Sequence, residues 1–273
     1  MKDIKIIVAT HKKYEMPKDD IYYPVHVGAE GKTDKKGNPL DFGYTKDNSG
    51  ENISKLNYCF GEQTGLYWAW KNLDADYLGL VHYRRYFVGK KVDRDNRLDS
   101  ILTRKQLEPL LSKYKVIVPR KRNYYISTVY EQYASTMNGG KEELDLTRMI
   151  VSELTPQYLK AFDTYMHCRG GFIFNMMVMP RNLINDYCGW LFTILLELYN
   201  RVDQTGMSDF DKRFCGRISE RLFNVWLIHM IETGCLSPGD IKELPYTEDV
   251  NWPKKVGSFL SAKLFAKKYG ASF

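Results

Sequence analysis

Apolar positions in this chain gather into short β-branched runs separated by longer stretches of helical spacing. Ile4–Thr10 is the first run, and its length and branching predict a buried parallel strand. Residues 22–28 predict a second strand, with Pro24 confining it to an edge or a strand start. Residues 78–87 begin as a buried strand, Leu78-Gly79-Leu80-Val81, and leave it in a dense polar and aromatic cluster, His82-Tyr83-Arg84-Arg85-Tyr86-Phe87. Residues 114–118 and 170–180 predict two more strands, the last opened by a Gly170-Gly171 pair that permits close backbone approach.

Helical spacing fills the intervals. A helix opening at Asn52-Ile53-Ser54, with Asn52 or Ser54 as its cap, carries Leu56, Cys59, Phe60, Gln63, Tyr67 and Trp70 on one face. Asn57, Glu62, Thr64, Trp68 and Lys71 fall off that face. Further helices are expected over 104–113, 127–135, 142–153, 155–167, 181–201 and the apolar run 222–227. Residues 29–52, rich in Gly, Asp, Asn, Lys and Ser, read as a long mobile loop able to close over a ligand. Strands alternating with helices imply an α/β fold. With no low-complexity linker, we expect one domain over 1–250 followed by a basic tail, 251–273.

Charge and cysteine usage narrow the function classes. The chain of 273 residues carries a formal net charge of +7, which favours anionic partners: nucleotide phosphates, nucleic acid or an anionic membrane. Five scattered cysteines without a CxxC pair argue for reduced thiols and a cytoplasmic location, against a disulfide framework or a zinc site. The start lacks a signal-peptide core, and no run of about eighteen apolar residues suggests a membrane span. The tail spaces Phe259, Leu260, Leu264, Phe265 and Tyr269 among five lysines, a pattern suited to an anionic bilayer surface or to packing on the domain.

The candidate chemistry sits where strands end. In open α/β sheets ligands collect at the carboxyl ends of strands. His82, Arg84 and Arg85 there suit a diphosphate, because guanidinium offers a planar fork to phosphate oxygens; ion pairing with neighbouring carboxylates is the competing reading. Thr10-His11-Lys12-Lys13, directly after the first strand, is a usual nucleotide position or a solvated turn. The tract 119–125 interleaves Arg120, Lys121 and Arg122 with Tyr124 and Tyr125. Asn175 is a lone polar residue in an apolar run and must find a partner, from protein or ligand, if buried. Glu220, near a helix start, can serve as a general base or as one half of a surface ion pair.

These residues carry a resemblance. Val8-Ala9-Thr10-His11-Lys12, Tyr23-Pro24-Val25-His26-Val27-Gly28-Ala29, Asn52-Ile53-Ser54 with Asn57, Glu62 and Thr64, and Leu66-Tyr67-Trp68-Ala69-Trp70-Lys71-Asn72 resemble the bacterial DUF4422 family. So do Gly79-Leu80-Val81-His82-Tyr83-Arg84-Arg85-Tyr86-Phe87, Asn175-Met176 with Met179, Tyr187-Cys188-Gly189-Trp190-Leu191-Phe192 and Gly216-Arg217-Ile218-Ser219-Glu220. The chain departs from the family at Phe60-Gly61 and at Gly170-Gly171, which leaves donor and acceptor identity open. The resemblance implies a glycosyltransferase encoded with capsule, exopolysaccharide and O-antigen genes. The resemblance implies a GT-A-like single domain with a mixed, mostly parallel sheet flanked by helices. It implies transfer from a UDP-sugar, galactofuranose first, to a glycan or lipid-linked glycan.

On that resemblance Thr10, His11, Lys12, Asn57, Glu62, Trp68, His82, Tyr83, Arg84 and Arg85 are expected to hold the nucleotide sugar, and Asn175 and Arg217 the acceptor. Glu220 is the expected base of an inverting transfer, with Asp209 and Asp211 as alternatives. Many GT-A enzymes hold a metal with an Asp-x-Asp where this chain has His82-Tyr83-Arg84-Arg85, so no cofactor and metal-independent transfer are expected. A nucleic-acid-binding module and an inactive, membrane-docked partner of a polysaccharide assembly complex are the competing readings.

Overall fold

β1, Ile4–Thr10, is buried at every position except Lys5. Its side chains divide with period two: Ile4, Ile6 and Val8 enter one apolar cluster, Ile7 and Ala9 the other. A strand covered on both faces must be apolar throughout, which is why alternation is absent from its sequence.

The computed structural model describes residues 2–89 and 97–247. In chain order the strands are β1, β2 (Tyr22–His26), β3 (Thr45–Lys46), β4 (Tyr77–His82), β5 (Val116–Pro119), β6 (Arg122–Asn123), β7 (Gly170–Gly171), β8 (Met177–Pro180) and β9 (Ile241–Leu244). The helices are α1 (Asn57–Phe60), α2 (Gln63–Asn72), α3 (Arg104–Lys113), α4 (Val129–Thr136), α5 (Gly140–Leu154), α6 (Leu159–His167), α7 (Arg181–Arg201) and α8 (Phe214–Glu232). Seven strands form one sheet in the order β3-β2-β1-β4-β8-β5-β9, and β6 pairs with β7 apart from it. Among the seven strands described in this sheet, only β8 runs against its neighbours. The sheet is therefore mixed and mostly parallel, as expected. β5 consequently runs in the direction of β1 and β4, and all three end on the same edge.

Gly79 explains how β8 fits beside β4. A Cβ at Gly79 would stand 2.8 Å from the Met177 carbonyl oxygen, so any larger residue would push the two strands apart. Pro24 is accommodated because β3 reaches only Val25 and His26, leaving the first half of β2 at the edge.

Two expected elements are broken. The helix expected from Asn52 is a 3-10 turn, Ser54–Leu56, then α1, then a halt at Gly61 (φ +56°) before α2 begins. The halt shifts the phase of α2, so that Leu66, Trp68 and Ala69 are buried in the core while Tyr67 and Trp70 pack half-buried against the same cluster. The strand expected over 170–180 is split into β7 and β8 by a turn in which Phe174 (φ 72°) and Asn175 (φ 53°) are left-handed. The loop 29–52 is fastened near its far end by Asp47. This fully buried carboxylate accepts from Gly28 N (2.8 Å), Ala29 N (3.1 Å), Ser54 Oγ (2.5 Å) and Thr64 Oγ1 (2.6 Å). The hydroxyl of Ser54 is thus spent on Asp47, while Asn52 Oδ1 accepts from Ser54 N at 3.1 Å. The expected tail, 251–273, lies outside the described residues.

Candidate functional site

Basic side chains gather at the carboxyl edge of the sheet. β1 ends in Thr10-His11-Lys12, β2 in His26, and β4 in His82, followed by a tight turn through Arg85. The turn is closed both ways: His82 N donates to Arg85 O at 3.1 Å and Arg85 N to His82 O at 2.9 Å. His11 stands edge-on to Tyr83, ring centroids 5.4 Å apart. Burial lowers the His11 pKa from its ordinary value, and the charges of Lys12, Arg213, Arg84 and His26 lower it further. Four cationic or ionisable groups from four segments thus converge on one imidazole. Arg213 comes from the turn Asp211–Arg213 ahead of α8, and its guanidinium lies over Gly61, 3.4 Å from where a Cβ would stand. Nothing in the local pattern around Arg213 distinguishes it from a solvated arginine; only the tertiary fold brings it to this edge.

Beside the cations is a carboxylate pair arranged around the left-handed turn. His82 Nε2 donates to the Phe174 carbonyl (2.6 Å) and lies 3.9 Å from Glu62 Oε1. Glu62, just ahead of α2, accepts from Asn175 Nδ2 at 2.6 Å. Phe174 N donates to Glu220 Oε1 at 3.0 Å, and Glu220 Oε2 accepts from Arg221 Nη1 at 2.9 Å. Burial lowers the His82 pKa despite the opposing charges of Glu62 and Glu220, which favours the neutral ring. Glu62, His82 and Glu220, expected from sequence as separate features, therefore meet at Phe174-Asn175. Arg85 reaches the same turn from the other side, its guanidinium carbon 4.1 Å from the Phe174 ring centroid, while the Arg84 guanidinium carbon lies 5.4 Å from the Tyr83 ring centroid.

Other expected site residues hold the framework. Trp68 is 4% exposed, stacks on Tyr23 and donates its Nε1 to Ser49; the rotation at Gly61 turned it into the core and away from the basic edge. Asn57 donates to Gly61 O (2.7 Å) and Thr64 Oγ1 (3.0 Å), and its side chain fills the space above Gly28. The Thr10 hydroxyl bridges to Lys12, donating to its carbonyl at 2.7 Å. Asn175 is spent on protein: besides Glu62, its Nδ2 donates to Gly216 O and its Oδ1 accepts from Ser219 Oγ. Arg217 turns inward, donating to Phe210 O (2.6 Å) and Asp211 O (2.8 Å). Asn175 is 2% exposed and its amide is taken up by protein, whereas the Arg217 side chain keeps 14% of its surface exposed. Asp211 is buried and accepts from Ser208 Oγ (2.6 Å) and Asn138 Nδ2 (3.3 Å). Asp209, by contrast, lines an open depression of about 590 Å³ with Tyr58, Gln204, Thr205 and Lys212. Lys212 on its rim belongs to the same turn, Asp211–Arg213, as Arg213.

The turn is braced by a buried network absent from the sequence reading. Glu143, 2% exposed, accepts from the Tyr133 hydroxyl and lies 3.6 Å from Arg217 Nη2. Burial pushes the Glu143 carboxyl up to about 7, against the pull of Tyr133 and Arg217. Among the described residues no group of three or more His, Cys, Asp or Glu side chains is placed to hold a metal ion.

The family model for a domain of unknown function, DUF4422, matches residues 5–231. The chain belongs to the DUF4422 family. Its basic edge, carboxylate pair and left-handed turn all fall within the matched span, whereas the last strand lies beyond it. Among solved structures, this DUF4422 chain is similar to the apo structure of the bifunctional glycosyltransferase WbbM, with a TM-score of 0.80 and 27% identity. The match covers 91% of this chain and 46% of that one, so the chain spans less than half the length of the WbbM structure. The α/β fold is thus one found in a glycosyltransferase. No curated protein matches the chain. Among the described residues no helix is long and apolar enough to cross a membrane.

Proposed function

We propose that this DUF4422 chain is a glycosyltransferase that moves a sugar from a nucleotide donor to a glycan or lipid-linked glycan, with UDP-galactofuranose as the first donor to test. The observation that supports the reading is the meeting of a basic edge with a carboxylate pair at one end of a sheet whose fold is similar to WbbM. In such a transfer the acceptor oxygen attacks the anomeric carbon as the bond to the diphosphate breaks. The electron pair leaves on the nucleoside diphosphate, and the acceptor proton must go to a base. Lys12, Arg84 and Arg213 around His11 supply positive charge for the departing diphosphate. Glu220 is the proposed base: its side chain is 23% exposed, and both oxygens are held by single donors that leave further lone pairs for an incoming hydroxyl. The depression bordered by Tyr58, Asp209 and Lys212 is the proposed approach of the acceptor, where one aromatic face lies among hydrogen-bonding groups.

With cationic side chains meeting the diphosphate, transfer is proposed to proceed without a divalent cation. The test is a panel of UDP-, GDP-, CMP- and dTDP-sugars assayed for donor turnover with EDTA and with added Mn²⁺. UDP-sugar turnover that persists in EDTA supports the reading. Turnover restored only by Mn²⁺ refutes metal independence, and absence of turnover or protection by every sugar nucleotide refutes the function.

A further inference from the structure

The basic and aromatic tract after β5 has no part in the site above, yet it is the most exposed apolar feature of the described chain. Tyr125 and Ile126 are 76% and 69% exposed, and no other large apolar side chain among the described residues exceeds half. The pair is held out by a built tip. Tyr125 is left-handed (φ 58°), and its N–H donates to Asn123 Oδ1 at 2.7 Å. Ile126 N donates to Tyr124 O (2.7 Å), Tyr124 N to Arg169 O (2.7 Å), and Arg169 Nη1 to Tyr125 O (3.2 Å). Gly170 lets β6 and β7 close beneath it, since a Cβ there would strike the Arg122 carbonyl at 2.2 Å.

Four exposed cations lie on the segments that carry the tip: Arg120, Lys121 and Arg122 lead into it, and Arg169 is bonded to it. None of them forms an ion pair among the described residues. The acidic groups recorded there are Glu131, which caps α4, and Glu243, which accepts from Lys121 N. The tip also lies at the end of the sheet that carries the site. β5 ends where β1 and β4 end, and β7 leads directly into the Phe172–Asn175 turn that holds Glu220 and Glu62.

We infer that the Tyr125-Ile126 tip docks the chain on an anionic lipid bilayer, with the sheet's carboxyl edge turned toward the lipid surface. A tyrosine suits the headgroup level and an isoleucine the acyl boundary, and the neighbouring cations meet anionic headgroups. A polynucleotide would use the cations but gains nothing from an outward isoleucine. The docked orientation brings the site mouth to where a lipid-linked acceptor would present its glycan.

The test is co-sedimentation of the full chain with vesicles of phosphatidylcholine alone or with phosphatidylglycerol added, read without any donor so that it is independent of the transfer reaction. The parent should bind the phosphatidylglycerol vesicles selectively. Tyr125→Asn with Ile126→Ser keeps a residue that tolerates the left-handed backbone, and should weaken partitioning by about tenfold or more. Arg122→Glu should weaken it as well, whereas Met149→Ser, which alters an exposed methionine away from the tip, should not. Equal binding by the double variant and the parent overturns the inference. So does indifference to the anionic lipid, or tip-dependent binding of polynucleotide in place of vesicles.

Discussion

Asp47→Asn is the perturbation that best tests how the site is framed. Asp47 is fully buried and each of its oxygens accepts two hydrogen bonds: from Gly28 N and Thr64 Oγ1 on one, from Ala29 N and Ser54 Oγ on the other. An asparagine retains one acceptor oxygen and turns an NH₂ group toward two donors. The hydroxyl of that pair can rotate away, but the peptide N–H cannot. Two bonds to a carboxylate are lost, at about 1.5–3 kcal/mol each, which totals about 3–6 kcal/mol. That is a large share of the roughly 5–15 kcal/mol by which a domain is stable. Urea unfolding of the variant should show a midpoint shifted accordingly, with an unchanged slope. Asp41→Asn, in the same loop, is the control, because Asp41 is exposed and accepts from Gly43 N at 2.8 Å; it should cost less than about 1 kcal/mol. A loss below about 1 kcal/mol in Asp47→Asn would refute the reasoning that the buried carboxylate holds the loop after β2 to the start of α2.

Glu220→Gln should lower kcat by about two orders of magnitude or more while UDP binding persists, and a near-parental rate would remove it as the base. Arg213→Ala should weaken UDP about tenfold by calorimetry, as expected for one lost charge-assisted contact, and an unchanged Kd would take Arg213 out of the anion site. Glu143 holds a proton in the folded chain up to about pH 7, whereas the unfolded chain releases it near its ordinary value of 4.5. Its contribution to stability is therefore greatest in acid and is lost as the pH rises through about 7. Glu143→Gln should gain on the parent by about 3 kcal/mol between acid and alkaline melts, and a difference that does not change with pH would refute the shift.

The strands were legible because burial on both faces writes itself as an unbroken apolar run. Ile4–Thr10 and the first half of residues 78–87 needed no tertiary information. Their ends were legible too, since polar side chains follow where the sheet stops. What could not be read was anything set by a backbone turn whose cause lies elsewhere in the chain. Gly61 looks like a tolerable glycine in a helix, yet its left-handed φ resets the phase and buries Trp68. Met177–Pro180 is a strand and Phe172–Asn175 is not, because Asn175 is claimed by Glu62, Gly216 and Ser219, all distant in sequence. Arg213 and Asp47 were invisible for the same reason: their meaning lies wholly in what the fold brings to them. Short strands such as Thr45–Lys46 carry too few residues for any period to show.

The left-handed pair at Phe174-Asn175 ties these findings together. Two consecutive non-glycine residues in that region cost about 1–2 kcal/mol each, less for asparagine, and such a turn persists only where its surroundings over-determine it. Here the surroundings are three separate elements. The reversed backbone offers a carbonyl to His82 at the end of β4, an N–H to Glu220 in α8, and the Asn175 amide to Glu62 ahead of α2. An extended strand in its place would send alternate side chains to opposite faces and could not address all three from two adjacent residues. Because β8 runs antiparallel, its leading turn falls at the carboxyl ends of the parallel strands, beside the cations. The reversed strand therefore brings to the basic edge the turn to which both carboxylates are tied, and strain in that turn is the cost of fixing their positions before any ligand arrives.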